Sequence, residues 1–244
     1  MLRINYERKR NKPMNIADGI LWYIVFIFST VFHEAAHAFT AHKMGDNTAH
    51  SIGQVSLNPV PHIKREPIGT VIVPILSFVA AGWMIGWAST PYNPQWAHDY
   101  PKKAAAMAAA GPISNFILLI ISVAIIHLGI ALGIFYQPDS ITISGIVAGV
   151  NAGWTEILAK IVSVMFSLNL ILFIFNLIPF PPLDGSAVPP MYLSEEVGRK
   201  YIAFVRKPAF ALVGLFVAWN LFGLIYSRIH LIVINLLYPG SNYH

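Results

Sequence analysis

The residues best suited to chemistry form the segment His33-Glu34-Ala35-Ala36-His37. On an α-helix, residues four apart share one face with Cβ atoms about 5–6 Å apart, so His33 and His37 can bind one Zn²⁺ ion. Glu34 lies on the same half of that helix and can reach a metal-bound water without binding the metal. The pattern predicts a zinc site in which Glu34 is the general base. An interhelical hydrogen-bond cluster is the alternative interpretation.

A third zinc ligand must come from elsewhere in the chain, because catalytic zinc takes three protein ligands and one water. The chain has no cysteine, so this ligand must be His, Asp or Glu. Asp184 follows an apolar run that ends at Pro179, Pro181 and Pro182, and three prolines in four residues must end a helix. Irregular backbone at membrane depth is tolerated only against protein or a watery cavity. Asp184 is therefore a natural third ligand, and a solvated aspartate in a turn is the alternative.

The composition predicts that this site lies in a membrane. Of the 244 residues, 56% are hydrophobic and 11% are charged, and the mean hydropathy is +0.60. A soluble domain is nearer a quarter charged, so a water-soluble enzyme and a disordered chain are excluded. A carboxylate inside a span costs at least ~2.5–3.5 kcal/mol, and Glu34 is the one acidic residue inside any candidate span. Such a cost indicates a functional role for Glu34.

Five apolar segments are candidate membrane spans, because about 20 apolar residues cross the bilayer core as a helix. They cover residues 20–41, 68–88, 104–135, 157–179 and 209–238. Pro74, Gly82 and Gly86 interrupt the second segment, which could re-enter the membrane or break, and Arg228 marks a possible break in the last. The sequence predicts an all-α polytopic membrane protein with about five to six transmembrane helices or re-entrant segments.

The connections between these segments are too short for a separate domain, so residues 1–244 are predicted to form a single membrane-embedded metalloprotease domain. We divide it into a basic N-terminal tail (1–19), a catalytic core (20–185) and C-terminal helices (186–244). The segments 53–59 and 86–94 are extended in character and punctuated by Gly and Pro. They predict a short membrane-associated β-hairpin.

Taken together, the motifs resemble those of the site-2 proteases, the intramembrane zinc metalloproteases. The resemblance covers most of the chain and rests on three motifs in order: His-Glu-Ala-Ala-His at 33–37, Gly-Pro-x-x-Asn at 111–115, and Asn-x-x-Pro followed by Leu-Asp-Gly at 176–185. The segments 56–59 and 67–70, with His62, resemble the compact bacterial branch. The chain departs from the family at Ser89, where that branch often has lysine, and at Ser186-Ala187, where Gly-Arg is common. It leaves no room for a PDZ domain.

The resemblance implies one Zn²⁺ per chain, bound by His33, His37 and Asp184, with Glu34 activating the water. It implies hydrolysis of peptide bonds in or beside the transmembrane helices of substrate proteins, which is regulated intramembrane proteolysis. The expected partners are membrane-protein substrates and the lipid bilayer, without nucleic acid, and the oligomeric state stays open. A membrane metal transporter, or a non-catalytic metal-binding membrane protein, is the alternative, and it would need the ligands but no general base.

Asn176 is a further candidate catalytic residue. It lies late in the fourth apolar segment, eight residues before Asp184. A polar amide there could donate a hydrogen bond to the oxyanion that forms when water attacks a carbonyl. Hydrogen bonding between helices is the alternative.

The zinc ligands also constrain the topology. His33 and His37 lie late in the first segment and Asp184 follows the fourth, so they meet most easily if these two helices run in the same direction. One of the two segments between them then does not cross, and 68–88 is the one we expect. Nine Lys and Arg residues fall on the active-site face and five on the other, in the N-terminal tail. The positive-inside rule places the active site of this multi-pass protein nearer the cytoplasmic face of the cell membrane. Five full crossings are the alternative.

Overall fold

The computed structural model describes residues 3–4 and 15–244, and within them the chain is mostly helical. The N-terminal cations at positions 8–12 lie outside these residues. The helices are α1 (Ile16–Lys43), α2 (Thr48–Ser51), α3 (Pro59–Arg65), α4 (Val73–Ala81), α5 (Pro94–Asp99), α6 (Pro101–Ala131), α7 (Trp154–Asn176), α8 (Glu195–Val205) and α9 (Pro208–Leu237). A π-helical turn, Ile68–Ile72, leads into α4, and two 3₁₀ turns follow α7, at Asp184–Ala187 and Pro189–Tyr192.

In the described part of the chain, four helices are long and apolar enough to span a membrane: Ile16–Lys43, Pro101–Ala131, Trp154–Asn176 and Ala209–Leu237. The expected interruption of the second apolar segment is confirmed, since its helix is only Ile68–Ala81. Fourteen residues rise about 21 Å, short of the roughly 30 Å of a bilayer core. The alternative of five full crossings is therefore not supported. The break considered at Arg228 is absent, because α9 is continuous through this exposed residue.

Three spans, α1, α6 and α7, form the core that positions the site. The beginnings of α1 and α7 are joined by an ion pair between Asp18 and Lys160, whose Oδ1 and Nζ are 2.7 Å apart. Their far ends are joined through His33 and Asp184. Contacts at both ends mean that α1 and α7 run in the same direction, as the zinc ligands required. Helix α6 lies between them and runs the opposite way, because its early residue Met107 meets His37 near the end of α1.

The chain after α4 folds back against its own helix. The Trp87 N–H donates to the Gly69 carbonyl at 3.1 Å, and the Ile85 N–H donates to the Ser77 hydroxyl at 3.0 Å. A Cβ at Gly69 would clash with the Trp87 carbonyl, and one at Gly86 with the Gly69 carbonyl. These two glycines therefore permit an extended segment, residues 83–93, to lie along α4 and reach α1.

The predicted location of the β-hairpin is wrong. Neither 53–59 nor 86–94 contains a strand; residues 53–59 form turns, bends and the start of α3, and 83–93 is extended, with the N–H groups of Ile85 and Trp87 bonded to the helical segment before it. The described strands lie at the other end of the core, β1 (Arg3–Ile4), β2 (Phe135–Tyr136), β3 (Ser140–Ile141) and β4 (Ala148–Gly149). Strands β2 and β4 are antiparallel, and β1 and β3 are parallel. The small antiparallel sheet thus belongs to the connection between α6 and α7.

The fold predicts which connections share a membrane face, and cysteines introduced into this cysteine-free chain can test it. Cysteines at Lys102 and Arg199 should react with a membrane-impermeant reagent from one side, and a cysteine at Ser144 from the opposite side. The reason is that one span, α7, lies between positions 144 and 199, and another, α6, between 102 and 144. Labelling of positions 102 and 199 from opposite faces would contradict this arrangement of spans.

Candidate metal centre

Helix α1 and the turn after α7 bring three potential metal ligands together. Asp184 Oδ2 lies 3.0 Å from His33 Nε2 and 3.3 Å from His37 Nε2, and the two Nε2 atoms are 3.0 Å apart. His33 and His37 are both buried, and Asp184 is half-buried. Among the described residues this is the group of three or more His, Cys, Asp or Glu side chains that could hold a metal ion.

The other ring nitrogen of each histidine is engaged by α6. His37 Nδ1 lies 2.7 Å from the Met107 carbonyl oxygen, and His33 Nδ1 lies 2.6 Å from Asn115 Oδ1. Both oxygens accept hydrogen bonds, so each Nδ1 carries the ring proton. In its neutral form, each imidazole therefore turns the lone pair of its Nε2 toward the other ring and toward Asp184.

This arrangement fits a metal ion. Asp184 Oδ2 is buried and accepts no hydrogen bond from the described residues, and it faces two nitrogen lone pairs. Three acceptor atoms this close repel one another unless a metal ion or an added proton lies between them. A tetrahedral zinc with bonds of about 2.0–2.1 Å separates its ligand atoms by about 3.3–3.4 Å, close to the distances here. Two histidines and a carboxylate are also a donor set that catalytic zinc uses.

The charge of Asp184 suits this role. Burial raises the pKa of its carboxyl, but the attraction of a proton held on the His37 and His33 rings outweighs burial and holds that pKa well below its usual range. The side chain is therefore a carboxylate at neutral pH, the form that binds metals. The turn that carries it is held by the Ser186 hydroxyl, which donates to the Leu183 carbonyl at 2.7 Å, and by the Tyr201 hydroxyl, which donates to the Ser186 carbonyl at 2.9 Å.

Helix α6 passes closest to the ligands at Gly111. A Cβ there would lie 2.5 Å from His33 Nε2 and closer still to His37 Nε2. Because both Nε2 atoms lie so close to this position, a side chain at 111 would crowd the atoms that could bind a metal. Glycine at 111 therefore both allows close packing of α6 and leaves these two atoms accessible.

Glu34 lies beside this group, buried on α1. The Thr90 hydroxyl contacts both its Oε2, at 2.7 Å, and its backbone carbonyl, at 2.9 Å. Thr90 belongs to the extended segment that folds back along α4. Glu34, His37, Thr90 and Asp184 line one cavity of about 370 Å³, which also reaches Arg206 at the end of α8. Glu34, which forms no ion pair with a lysine or arginine of the described residues, thus shares a cavity with two of the three potential metal ligands.

Comparison with known proteins identifies the chain. The profile of Peptidase family M50 matches residues 21–221, which is most of the sequence. The chain belongs to this family, the site-2 proteases. It is 35% identical over 188 residues to "Putative zinc metalloprotease YwhC" of Bacillus subtilis (strain 168), covering 75% of each chain. The M50 resemblance inferred from the motifs is confirmed.

Two proteins with the name "Putative zinc metalloprotease Rip2" match at lower sequence identity. The protein of Mycolicibacterium smegmatis is 25% identical over 189 residues, covering 77% of this chain and 63% of its own length. The protein of Mycobacterium tuberculosis H37Rv is 28% identical over 207 residues, covering 84% and 69%. No solved structure matches the chain. As a member of M50, the protein is a multi-pass membrane enzyme, a zinc-dependent metalloendopeptidase.

The structure brings together four of the five residues that the sequence proposed for this M50 site: His33, Glu34, His37 and Asp184. Asn176 is the last residue of α7 and half-buried. It is not among the described residues that line the cavity, and no hydrogen bond joins its side chain to another described residue. Its catalytic role stays a prediction.

Sequence reasoning missed the groups that orient the ligands and the base. Asn115 was visible as the end of a Gly-Pro-x-x-Asn pattern but received no role, and Asn169 could have been noticed as a costly amide inside an apolar span. Thr90 gave no signal, since a threonine in a Pro-rich connection is ordinary. The Met107 carbonyl could not be found from sequence at all, because every residue has one.

Gly111→Ala should weaken zinc binding, because the new methyl group occupies space beside both Nε2 atoms. Inserting a methyl group into a packed site typically costs about 1–3 kcal/mol. If this cost destabilises only the metal-bound state, zinc affinity falls about 5- to 150-fold. Competition with a chromophoric chelator would measure this affinity in purified protein. Gly223→Ala, a helical position with no atom within 4 Å of the added Cβ, is the control and should bind zinc normally. Wild-type affinity in Gly111→Ala would contradict the assignment.

Proposed function

We propose that this enzyme is an intramembrane protease that hydrolyses peptide bonds in or next to the transmembrane helices of membrane proteins, as in regulated intramembrane proteolysis. The observation that carries the proposal is the position of Glu34 within a helix long and apolar enough to span a membrane. Glu34 lies nine residues before the end of the span α1, about 14 Å along the helix axis. In this proposal, a peptide bond reaches the carboxylate by entering the membrane region beside this span.

In this proposal His33, His37 and Asp184 hold the zinc, and Glu34 is the general base. Zinc, when bound, supplies a water of lowered pKa, about 7, and polarises the scissile carbonyl. Glu34 takes a proton from the attacking water at a carboxylate oxygen and passes it to the leaving amine. The hydrogen bond from Thr90 to Glu34 Oε2 holds this carboxylate in the cavity and leaves Oε1 for the proton transfer.

The distribution of charge supports an active site nearer the cytoplasmic face of the cell membrane. The connections on the active-site side carry nine cations, Lys43, Lys64, Arg65, Lys102, Lys103, Arg199, Lys200, Arg206 and Lys207. The connection between α6 and α7 has no Lys or Arg, and neither do residues 238–244. Under the positive-inside rule, the cysteines at Lys102 and Arg199 described above should label from the cytoplasm.

Glu34→Gln should abolish proteolysis while the protein still binds about one zinc per chain, because the amide cannot accept the proton but the three ligands remain. Comparing the membrane proteomes of cells with wild type and Glu34→Gln would reveal substrates as proteins that accumulate uncleaved. A metal transporter needs no general base, so transport unchanged in Glu34→Gln would favour that alternative. Loss of zinc from this variant would contradict the separation of base and ligands.

Asn176→Ala tests the proposed oxyanion donor. Removing one such donor typically lowers turnover by about 10²–10³, and we expect that loss with zinc content, melting temperature and substrate affinity little changed. The assay would use a substrate identified by the proteome comparison. If Asn176 instead only joins helices, the melting temperature in detergent should fall and turnover of the folded fraction should be near normal.

A further inference from the structure

Two asparagines connect His33 to helix α7 through a line of hydrogen bonds. His33 Nδ1 meets Asn115 Oδ1 at 2.6 Å, Asn115 Nδ2 meets Asn169 Oδ1 at 2.8 Å, and Asn169 Nδ2 meets the Met165 carbonyl at 2.8 Å. Both asparagines are fully buried. The line therefore runs from backbone of α7, through α6, to a potential zinc ligand on α1.

The direction of the bonds in this line is set from its Met165 end, and a longer contact of 3.5 Å from Asn115 Nδ2 to the Ser29 carbonyl favours the same direction. A backbone carbonyl can only accept, so Asn169 must present its NH₂ group there; the same group also donates to the Ser29 hydroxyl at 3.0 Å. The oxygen of Asn169 then faces Asn115, and the NH₂ group of Asn115 donates a hydrogen bond to it. Asn115 is left with its oxygen toward His33, and that oxygen can accept only from a protonated Nδ1.

This direction matters because a histidine binds metal through the nitrogen that carries no proton. With its proton on Nδ1, His33 keeps a lone pair on Nε2, the atom 3.0 Å from Asp184. If Asn115 were rotated by half a turn about its last side-chain bond, its NH₂ group would face Nδ1. The ring proton would then move to Nε2, into the space for the metal. His37 needs no such relay, because its Nδ1 bonds directly to a backbone carbonyl.

We propose that Asn169 is a positioning residue, which orients the amide of Asn115 and thereby sets the tautomer in which His33 binds zinc. The inference rests on His33 being a zinc ligand, as in the proposed function. The alternative interpretation is that Asn169 only joins helices. Such interhelical hydrogen bonds contribute on average about 0.6 kcal/mol each to the stability of a membrane protein. The two interpretations differ in what they predict for zinc affinity, since joining helices does not select a tautomer.

The first experiment measures zinc affinity in purified Asn169→Leu by chelator competition. Without Asn169, only a longer hydrogen bond, 3.5 Å from Asn115 Nδ2 to the Ser29 carbonyl, keeps the NH₂ group of Asn115 turned away from His33. Loss of such an outer partner typically weakens metal binding about 10–100-fold. Ser167→Ala is the matched control: it removes a buried polar group of the same helix, whose hydroxyl has no hydrogen-bond partner in the described structure. It should bind zinc like wild type. Unchanged affinity in Asn169→Leu would overturn the proposal.

The second experiment repeats Asn169→Leu in an Asn115→Asp background. An aspartate has no NH₂ group, so its carboxylate accepts from His33 Nδ1 whichever way it is rotated. If orienting Asn115 is what Asn169 does, Asn169→Leu should lose its effect on zinc affinity in this background. An equal loss in both backgrounds would mean that Asn169 acts through packing, and would overturn the proposal.

A spectroscopic measurement needs no variant at position 169 and keeps the proposal testable if Asn169→Leu does not fold. In zinc-free wild type with ¹⁵N-labelled histidine, the His33 signals should show the proton on Nδ1 when the ring is neutral; a proton on Nε2 would overturn the proposal. Zinc affinity of His33→Ala separates this inference from the proposed function. Wild-type affinity in that variant would show that the ligand assignment itself is at fault.

Discussion

Three atoms with lone pairs face one another at 3.0–3.3 Å where the later part of α1 meets the turn after α7, and the surrounding structure is arranged to keep them there. Two imidazole nitrogens and a carboxylate oxygen repel one another without a cation between them. The fold overcomes this repulsion by fixing each ligand from behind. A backbone carbonyl of α6 holds His37, an asparagine holds His33, and a hydrogen-bonded turn after α7 holds Asp184. A site preorganised in this way favours a metal ion.

In a membrane, the polar groups that hold the ligands in place must themselves be hydrogen-bonded within the protein. A polar group in the bilayer core must find its partners inside the protein. The amides of Asn115 and Asn169 and the hydroxyl of Ser29 do so by bonding to one another across three helices. Stability and chemistry are thus linked, because the hydrogen bonds that join α1, α6 and α7 are also those that orient a ligand.

Access to the site depends on the elements around this three-helix core. The interrupted helix Ile68–Ala81 and the extended segment after it stop short of a full crossing and bring Thr90 to Glu34. The opposite wall comes from the turns after α7 and from the end of α8. Glu34, the carboxylate to which the proposed function assigns catalysis, thus has non-spanning chain on two sides of it, an arrangement that would suit a protease whose substrates are membrane proteins.

The sequence alone determined the chemistry and the membrane class. His33, Glu34 and His37 are predictable because a helix has a fixed period, and Asp184 because prolines end a helix at a known place. The spans follow from apolar length, and the parallel course of α1 and α7 follows from the need to join their ligands. The location of the strands did not follow, since short extended pieces carry no information about which backbone they pair with. Nor did the roles of Asn115, Asn169, Gly111 and Thr90. Each depends on the rotation and separation of helices far apart in sequence, and only the packing of the whole chain sets those.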